Sequence, residues 1–586
     1  MPLVSKSFSD IITFSRGSNA TYFDSAGVLK YAPNNAIRNN TGVGAVAGTP
    51  GTLPTNWTAQ NVGGVALTEV VGTGTEDGIA YVDVRYTGTT SSTASGGVLA
   101  EQGLQIAALP GQTWVSSVFV RLIAGNLTNI TSVANSIFER DSGGVLVAQT
   151  NATFTPTGAA LSTQRFFATR TLSNASTVFV QSRITITPVS GAAIDITLRI
   201  GLPQLEIGDT AGPAIPTSGT AYYGPRFDYN PSTLAAQGLL IEEQRTNLLT
   251  YSEAFDNAAW AQLNLNTTGT PAWVDVAVAP NGTTTADFII PDTTLGQHRI
   301  RQDSSITSGT VYSNSIYFKA AGYDWIYIQL STGFDGGGQL YRNVNIANGT
   351  LGSGTLGAND VTVAPVNNGW YRVNITRTAT ATTTGRINWL VQNADGATAS
   401  FAGNGTSGVY IWGAQLEAGA FPTSYIPTTT TALTRAADVA SVNTLSPWFN
   451  ASEGTLFAEG TPINVTTTQP ILFRFDDGSN NNTLNAALGT SVQFSSRTGG
   501  SSAASVDLGT PTADTTGKVA GAYKASDFAG AYDGTAADET SGTEIVPVVT
   551  LVRLGASNTA TANTWLRRIT YYPRRLSNAE LQAITS

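Results

Sequence analysis

The chain has 586 residues, with 30 basic residues against 39 acidic ones and a formal net charge of −9 at pH 7. That balance excludes the basic stripe by which phosphates are neutralised, so neither nucleic acid nor an anionic membrane surface is an expected partner. Cysteine is absent, which removes disulfides, thiol nucleophiles and cysteine zinc sites together.

At roughly one domain per 100–200 residues, this length predicts three or four domains. Charged residues make up 12%, about half the usual ~25%. Gly, Thr, Ser and Asn alternate with Val, Ile, Phe and Tyr, the composition of β-structure with many turns. Residues 1–20 lack the basic start and continuous apolar core of a signal peptide, and no long apolar run is present to span a bilayer, so membrane insertion is not expected.

From Ile11 to Tyr31 apolar residues alternate around an Asp24-Ser25-Ala26-Gly27 turn, which predicts a small hairpin. Residues 38–222 and 246–440 then repeat one architecture. "NNAIRNNTG" with Trp57 downstream parallels "EQRTNLLTYS" with Trp260 downstream, matching Arg38 to Arg245. "GQTWVSSVFVR" parallels "SGTVYSNSIYFK", and the "QLE" of Gln204 parallels that of Gln415. Within each copy apolar residues recur at every second position, as in Ile194, Ile196, Leu198 and Ile200 or in Ile326, Ile328 and Leu330. That is strand patterning with one buried face. Short strands joined by Gly-, Asn- and Thr-rich turns, with no helical stretches between them, predict antiparallel sandwiches.

Between the copies, Asn230-Pro231 and Gln237-Gly238 punctuate a linker strand over 223–245. Ser252 is placed to cap one helical turn ending near Trp260. Residues 441–586 form a further β domain, with hairpin turns at Asp477-Gly478 and Asp533-Gly534 and one short helix opened by a Ser577–Glu580 capping box.

The stretch GPRFDYNPSTLAAQGLLIEEQRTNLLTYSEAFDNAAW, Gly224 to Trp260, resembles a segment of bacteriophage appendage proteins, where it leads into a β-sandwich with the look of a carbohydrate-binding module. The C-terminal residues resemble the concanavalin A or laminin-G type sandwich that often ends such proteins. The resemblance implies an all-β chain of tandem antiparallel sandwiches: an N-terminal attachment segment (1–37), a jelly-roll inserted as a repeat (38–222), the linker strand (223–245), a second jelly-roll (246–440) and a concanavalin A/laminin-G-like sandwich (441–586). It also implies a virion location, assembly in the host cytoplasm, a homotrimer held to other virion proteins through the N-terminal segment and the stretch from Tyr222 to Gln244, and a host cell-surface glycan as partner. In that family the hairpin runs almost directly into "PRFDY", so the first jelly-roll reads as an insertion.

Little in the chain points to catalysis. The single histidine, His298, stands in a polar alternating stretch, which leaves a Ser-His-Asp triad or a histidine metal site without material. No phosphate-binding loop of the GxxxxGK[ST] kind is present. Glycoside hydrolysis needs only two carboxylates about 5–10 Å apart, but Glu206 and Glu417 sit at equivalent places in the two repeats, which is more economically explained by a structural hydrogen-bond acceptor. The expected class is a non-enzymatic virion protein; a polysaccharide depolymerase and a secreted carbohydrate-binding adhesin are the alternatives. No cofactor is required. Asp476, Asp477 and Asn480 offer the hard oxygen ligands of a calcium site, against the alternative of a plain polar hairpin loop.

Aromatic residues carry more information. Tyr323, Trp325 and Tyr327 alternate with the apolar Ile326, Ile328 and Leu330, which predicts an aromatic row on the face opposite the core, suited to stacking on sugar rings. Burial of both faces is the alternative. Asn314 and Asp335 are candidate polar orienting groups. The first copy offers Asn126, Asn129 and Ser132 where the second has aromatics, which points to the second sandwich as the binding module. Trp370, Trp389 and Trp412 are expected in the core.

Overall fold

A computed structural model describes residues 7–268, 272–338, 340–463, 465, 471–539, 545–558 and 560–586, so the first six residues of the expected attachment segment lie outside the described residues. The chain divides into two compact units, residues 31–224 and residues 1–30 together with 225–586. Residues 31–224 thus lie, in sequence, between the two parts of the other unit. The inserted unit also begins and ends side by side, because Tyr222 and Tyr223 pair with Asn35 and Asn34 in a short ladder.

The inserted unit is a sandwich of two five-stranded sheets. One runs Glu69–Glu76, Ile79–Thr89, Ala193–Ile207, Thr113–Gly125, Arg165–Thr171, and the other Thr58–Gln60, Gly96–Leu99, Phe179–Pro188, Ile130–Arg140, Leu146–Phe154. The second repeat has the same spatial order. Thr284–Ile289, Gly408–Ala418, Val311–Ala321 and Trp370–Thr378 adjoin in one sheet, and Arg299–Arg301, Ile387–Gln392, Trp325–Leu330 and Tyr341–Asn345 in the other. In both repeats some consecutive strands pair within one sheet, as Glu69–Glu76 does with Ile79–Thr89, while others cross to the facing sheet, and the described ladders are antiparallel. The alternating residues fall where their period places them: Ile194, Ile196, Leu198 and Ile200 in the first core, Ile326, Ile328 and Leu330 in the second.

Matching buried amides fix the repeat register better than the arginines do. Asn247 donates to the carbonyls of Ala414 and Ile426 and accepts from Leu249 and Leu416. Asn35 does the same work in the first copy, donating to Ile215 and accepting from Ile37 and Leu205. The true counterpart of Asn247 is therefore Asn35, and Arg38 is not structurally matched to Arg245. Gln204 and Gln415 each clamp the loop that follows their strand. Glu206 accepts from the Gly212 amide and Glu417 from the Thr423 amide, the structural acceptor roles expected of them.

The C-terminal sandwich consists of two seven-stranded sheets, and both recruit strands from far upstream. Thr13–Ser15 pairs with Val439–Val442 at an edge of one sheet. In the other, Ala236–Ile241 pairs with Thr564–Tyr572, placing Leu239 and Ile241 in the third core. The stretch expected to be a linker is thus part of a sheet. The N-terminal segment is divided likewise: Thr21–Phe23 and Leu29–Tyr31 form the expected hairpin, in which Gly27 adopts a φ of 72° to close the turn, whereas Thr13–Ser15 belongs to the C-terminal sheet. Leu29 and Phe23 pack with Trp370, Trp412 and Tyr425, so the hairpin covers the outer side of one sheet of the second sandwich.

No helix follows Ser252. Its hydroxyl bonds instead to the Thr428 backbone and the Tyr425 hydroxyl, and the free Phe255 amide is taken by Asp287; a helical turn had no donors left to organise. The C-terminal helix Asn578–Thr585 does form, with the Ser577–Glu580 capping box in place and Leu581 buried. Asp533 and Gly534 make the expected two-residue hairpin turn, both with positive φ.

A buried ionic cluster joins these pieces. Arg226 bonds to Glu242 at 2.6 Å and to Asp438, Arg16 reaches Asp438 at 2.9 Å, and Arg435 lies 3.5 Å from Glu242. All five are essentially excluded from solvent. Glu242 is held at about 2, because Arg435 and Arg226 outweigh the cost of burying its charge. Asp228 accepts from the Phe23 amide and the Trp565 indole. The Arg226 and Asp228 of "PRFDY" are therefore structural. Removing one partner of a buried pair typically costs about 3–5 kcal/mol, so Asp438→Ala is expected to lower unfolding stability by that amount in urea titration.

Burial pushes Asp228 up to about 6 and Asp287 up to about 7, the latter helped by the nearby Asp275 and Asp256. A carboxyl raised in this way keeps a proton that the unfolded chain, with an ordinary value of about 4, has already released. Its stabilisation is complete below that unfolded value and is lost as pH rises through 6 to 7. The urea midpoint is expected to fall between pH 4.5 and pH 7.5; a midpoint that rises over this range would contradict the assignment.

Candidate glycan-binding face

The sheet of the second sandwich that contains Trp325–Leu330 turns Ile326, Ile328 and Leu330 into the core and leaves Trp325, Tyr327 and Gln329 half-buried on its other side. The expected alternation therefore holds for the strand itself. Tyr323 is a correction: it precedes the strand and packs against the core, 5.6 Å from the Phe401 ring.

Register builds the face outward from these residues. Tyr327 stands opposite Asn343 on one side and Leu390 on the other, and Trp325 lies between Asn345 and Gln392. Gln329 is flanked by Tyr341 and Asn388. Tyr327 and Tyr341 stack with centroids 4.9 Å apart and planes at 15°. Trp325 reaches across Tyr341–Asn345 to Gly352 of the next strand, Thr350–Gly354: a Cβ added there would come within 2.5 Å of the indole and 2.4 Å of Asp395. Asp395 accepts from the Ser353 amide at 2.7 Å, which fastens the loop after Gln392 beside the indole. Bare backbone on one strand and a pinned loop thus set the position of Trp325.

The two polar orienting candidates are not part of this face. Asn314 points into the core of the sandwich, where it accepts from the Trp389 indole at 2.9 Å and donates to the Gln415 carbonyl; it has the parity of Tyr312, Ile316 and Phe318. Asp335 lies in the loop after Leu330, beyond the end of the strand remote from Trp325. The amides that do flank the aromatic row are Asn343 and Asn388. Each is buried and has its side-chain carbonyl oxygen without a hydrogen-bond partner among the described residues. The signal for them was present as the period-two pattern of 341–345 and 387–392, but only strand pairing places those segments beside Trp325–Leu330.

The first sandwich is less bare than its sequence suggested. Phe138 occupies the outward side of Ile130–Arg140, the counterpart strand, but it is 1% exposed and lies beneath Arg183 at 4.5 Å and Arg140 at 5.7 Å. The difference between the copies is therefore accessibility: an arginine-sealed Phe in one, half-buried Trp and Tyr in the other. Trp370, Trp389 and Trp412 are buried, as expected.

His298 is fully buried with its ring nitrogens 2.6 Å and 2.8 Å from the Asn264 and Phe401 carbonyls, a structural arrangement. The calcium candidate does not fit its ion. Asp476 is bound by Arg474 and Arg553 and accepts from the Gly478 amide. Asp477 accepts from Ser479 and Asn482, and Asn480 accepts from Arg474. Two guanidinium groups already supply the positive charge, and N–H or O–H donors occupy the oxygens that an ion would need. No group of three or more metal-ligating side chains of the kind a metal ion needs is found among the described residues. No described helix is long and apolar enough to cross a membrane.

No family profile matches the chain, and no curated protein matches it. Among solved structures, the tandem CBM22-1–CBM22-2 domains of Paenibacillus barcinonensis Xyn10C align over 69% of this chain and all of theirs, at 12% identity and a TM-score of 0.20. The LG1-3 region of the laminin alpha2 chain aligns over 86% of this chain and 97% of its own, at 8% identity and a TM-score of 0.18. Superpositions this loose carry no weight for fold or function, and the architecture rests on the strand pairing itself.

Proposed function

We propose that the chain is a non-enzymatic structural component of a bacteriophage virion, a tail fibre, tail spike or head fibre, whose second sandwich binds host surface glycans. The observation that carries the binding role is the outward row of Trp325, Tyr327 and Tyr341, flanked by the buried amides Asn343 and Asn388 on a sheet whose opposite counterpart is covered by the N-terminal hairpin. Sugar rings present C–H faces that stack on such aromatics. The virion role rests on the resemblance of Gly224 to Trp260.

Aromatic contacts are worth about 1 kcal/mol each, so single-site affinity is low and adsorption depends on several sites acting together. A trimer supplies that multiplicity. Light scattering of the purified chain is expected to give three times the chain mass; a monomer at every concentration, with no assembly on particles, would count against this arrangement. Replacing Trp325 and Tyr327 together by Ala is expected to weaken adsorption to host cells at least tenfold, about 1.4 kcal/mol, while the urea midpoint stays near that of the parent. Unchanged adsorption by the folded double variant would remove this face as the binding site.

A further inference from the structure

One region of this sheet gathers three arginines, Arg299, Arg301 and Arg386, around one carboxylate, Asp303. Arg299 and Arg301 project on the side of Asn388 and Leu390, since the intervening Ile300 is in the core and pairs with Trp389. Arg301 and the nearby Arg386 both pair with one carboxylate, Asp303, each at 2.9 Å. Arg299 has only a long contact to Gln297, at 3.4 Å, and no ion pair among the described residues. In the C-terminal sandwich, by contrast, Arg567 pairs with Glu459, Arg574 with Glu580 and Arg575 with Asp527. Burial, and then the charges of Arg301 and Arg386, lower the Arg299 pKa against the opposing charge of Asp303, which marks a half-buried cation in a local excess of positive charge.

Register gives the spacing. Arg299 is opposite Leu390, and Leu390 is opposite Tyr327, so two strand separations, about 10 Å, lie between Arg299 and the aromatic row. Leu390 between them is buried. No carboxylate occurs among the outward residues of the four strands from Arg299–Arg301 to Tyr341–Asn345.

We infer that this face selects an acidic glycan, stacking one sugar ring on Trp325 and Tyr327 and receiving the carboxylate of an adjacent uronic or other carboxylated sugar at Arg299. A guanidinium takes a carboxylate through two parallel N–H···O bonds, which a lysine cannot reproduce. The inference rests on the glycan-binding reading of the same face. A chain of net charge −9 repels polyanions as a whole, so retention by one reports a local site.

Affinity electrophoresis of the full chain through gels containing polygalacturonate, alginate, neutral dextran or dextran sulfate tests it. Retardation by at least one polyuronate is expected, with weaker retardation by dextran and dextran sulfate. Arg299→Gln should reduce polyuronate affinity at least tenfold and leave dextran unaffected, and Arg299→Lys should recover only part of the loss. Dextran binding equal to polyuronate binding, or no effect of Arg299→Gln in a chain with the parental urea midpoint, overturns the acidic-sugar assignment and leaves the glycan face standing. Equal retardation by dextran sulfate overturns it in favour of unspecific charge attraction. Retardation by none of the four polymers overturns both the assignment and the glycan-binding reading beneath it.

Discussion

Three arginines and two carboxylates buried together, Arg16, Arg226 and Arg435 with Glu242 and Asp438, hold the second and third sandwiches and the N-terminal segment to one another. Charges taken out of water are costly unless each finds its partner in good geometry. The cluster is therefore satisfied only when four stretches of chain, carrying Arg16, Arg226, Glu242 and the Arg435–Asp438 pair, have all arrived. It sits where Thr13–Ser15 and Ala236–Ile241 enter the C-terminal sheets, so the polar centre and the strand recruitment specify the same arrangement. A purely apolar junction of equal area would tolerate slippage of either strand; a set of directed ion pairs does not.

That arrangement accounts for the tolerance of a large insertion. Residues 31–224 leave and return between Lys30 and Pro225, and their ends are already held side by side by the pairing of Asn34 and Asn35 with Tyr223 and Tyr222. Closing a longer loop adds little entropy cost, about 0.6 kcal/mol for each doubling of a flexible chain, and a folded insert with adjacent ends adds less. The same short ladder lets the first jelly-roll satisfy its own core, with Asn35 and Gln204 repeating the roles of Asn247 and Gln415.

The two sheets of the second sandwich have different fates. Leu29 and Phe23 of the hairpin, with Trp370, Trp412 and Tyr425, give one sheet a second apolar layer on its outer side. The other sheet carries Trp325, Tyr327, Tyr341, two buried amides and Arg299. Aromatic groups held by Gly352 and by ring stacking pay little conformational entropy on contact with a ligand, which suits a shallow face that works through repetition.

The period-two runs at Ile194–Ile200 and Ile326–Leu330, the duplicated "QLE" exits and the Ser577–Glu580 capping box determined an all-β chain of tandem sandwiches with one short helix, because alternation and capping are local and act wherever they occur. The outward aspect of Trp325 and Tyr327 followed from the same alternation. Tertiary structure decided the rest. Whether Ser252 caps a helix depended on Thr428 and Asp287, distant groups that claimed its hydroxyl and the neighbouring amide. Whether 223–245 is a linker depended on an open edge at Thr564–Tyr572. Asp476, Asp477 and Asn480 have the composition of a cation site, but Arg474 and Arg553 supply the cations. Asn314 reads as a polar surface residue until its strand parity sets it beside Trp389, while Arg299, Asn343 and Asn388 join the aromatic row only through ladders between strands remote in sequence. Composition and period fix which face a side chain takes on its own strand; which strands lie beside it is set by the packing of the whole chain.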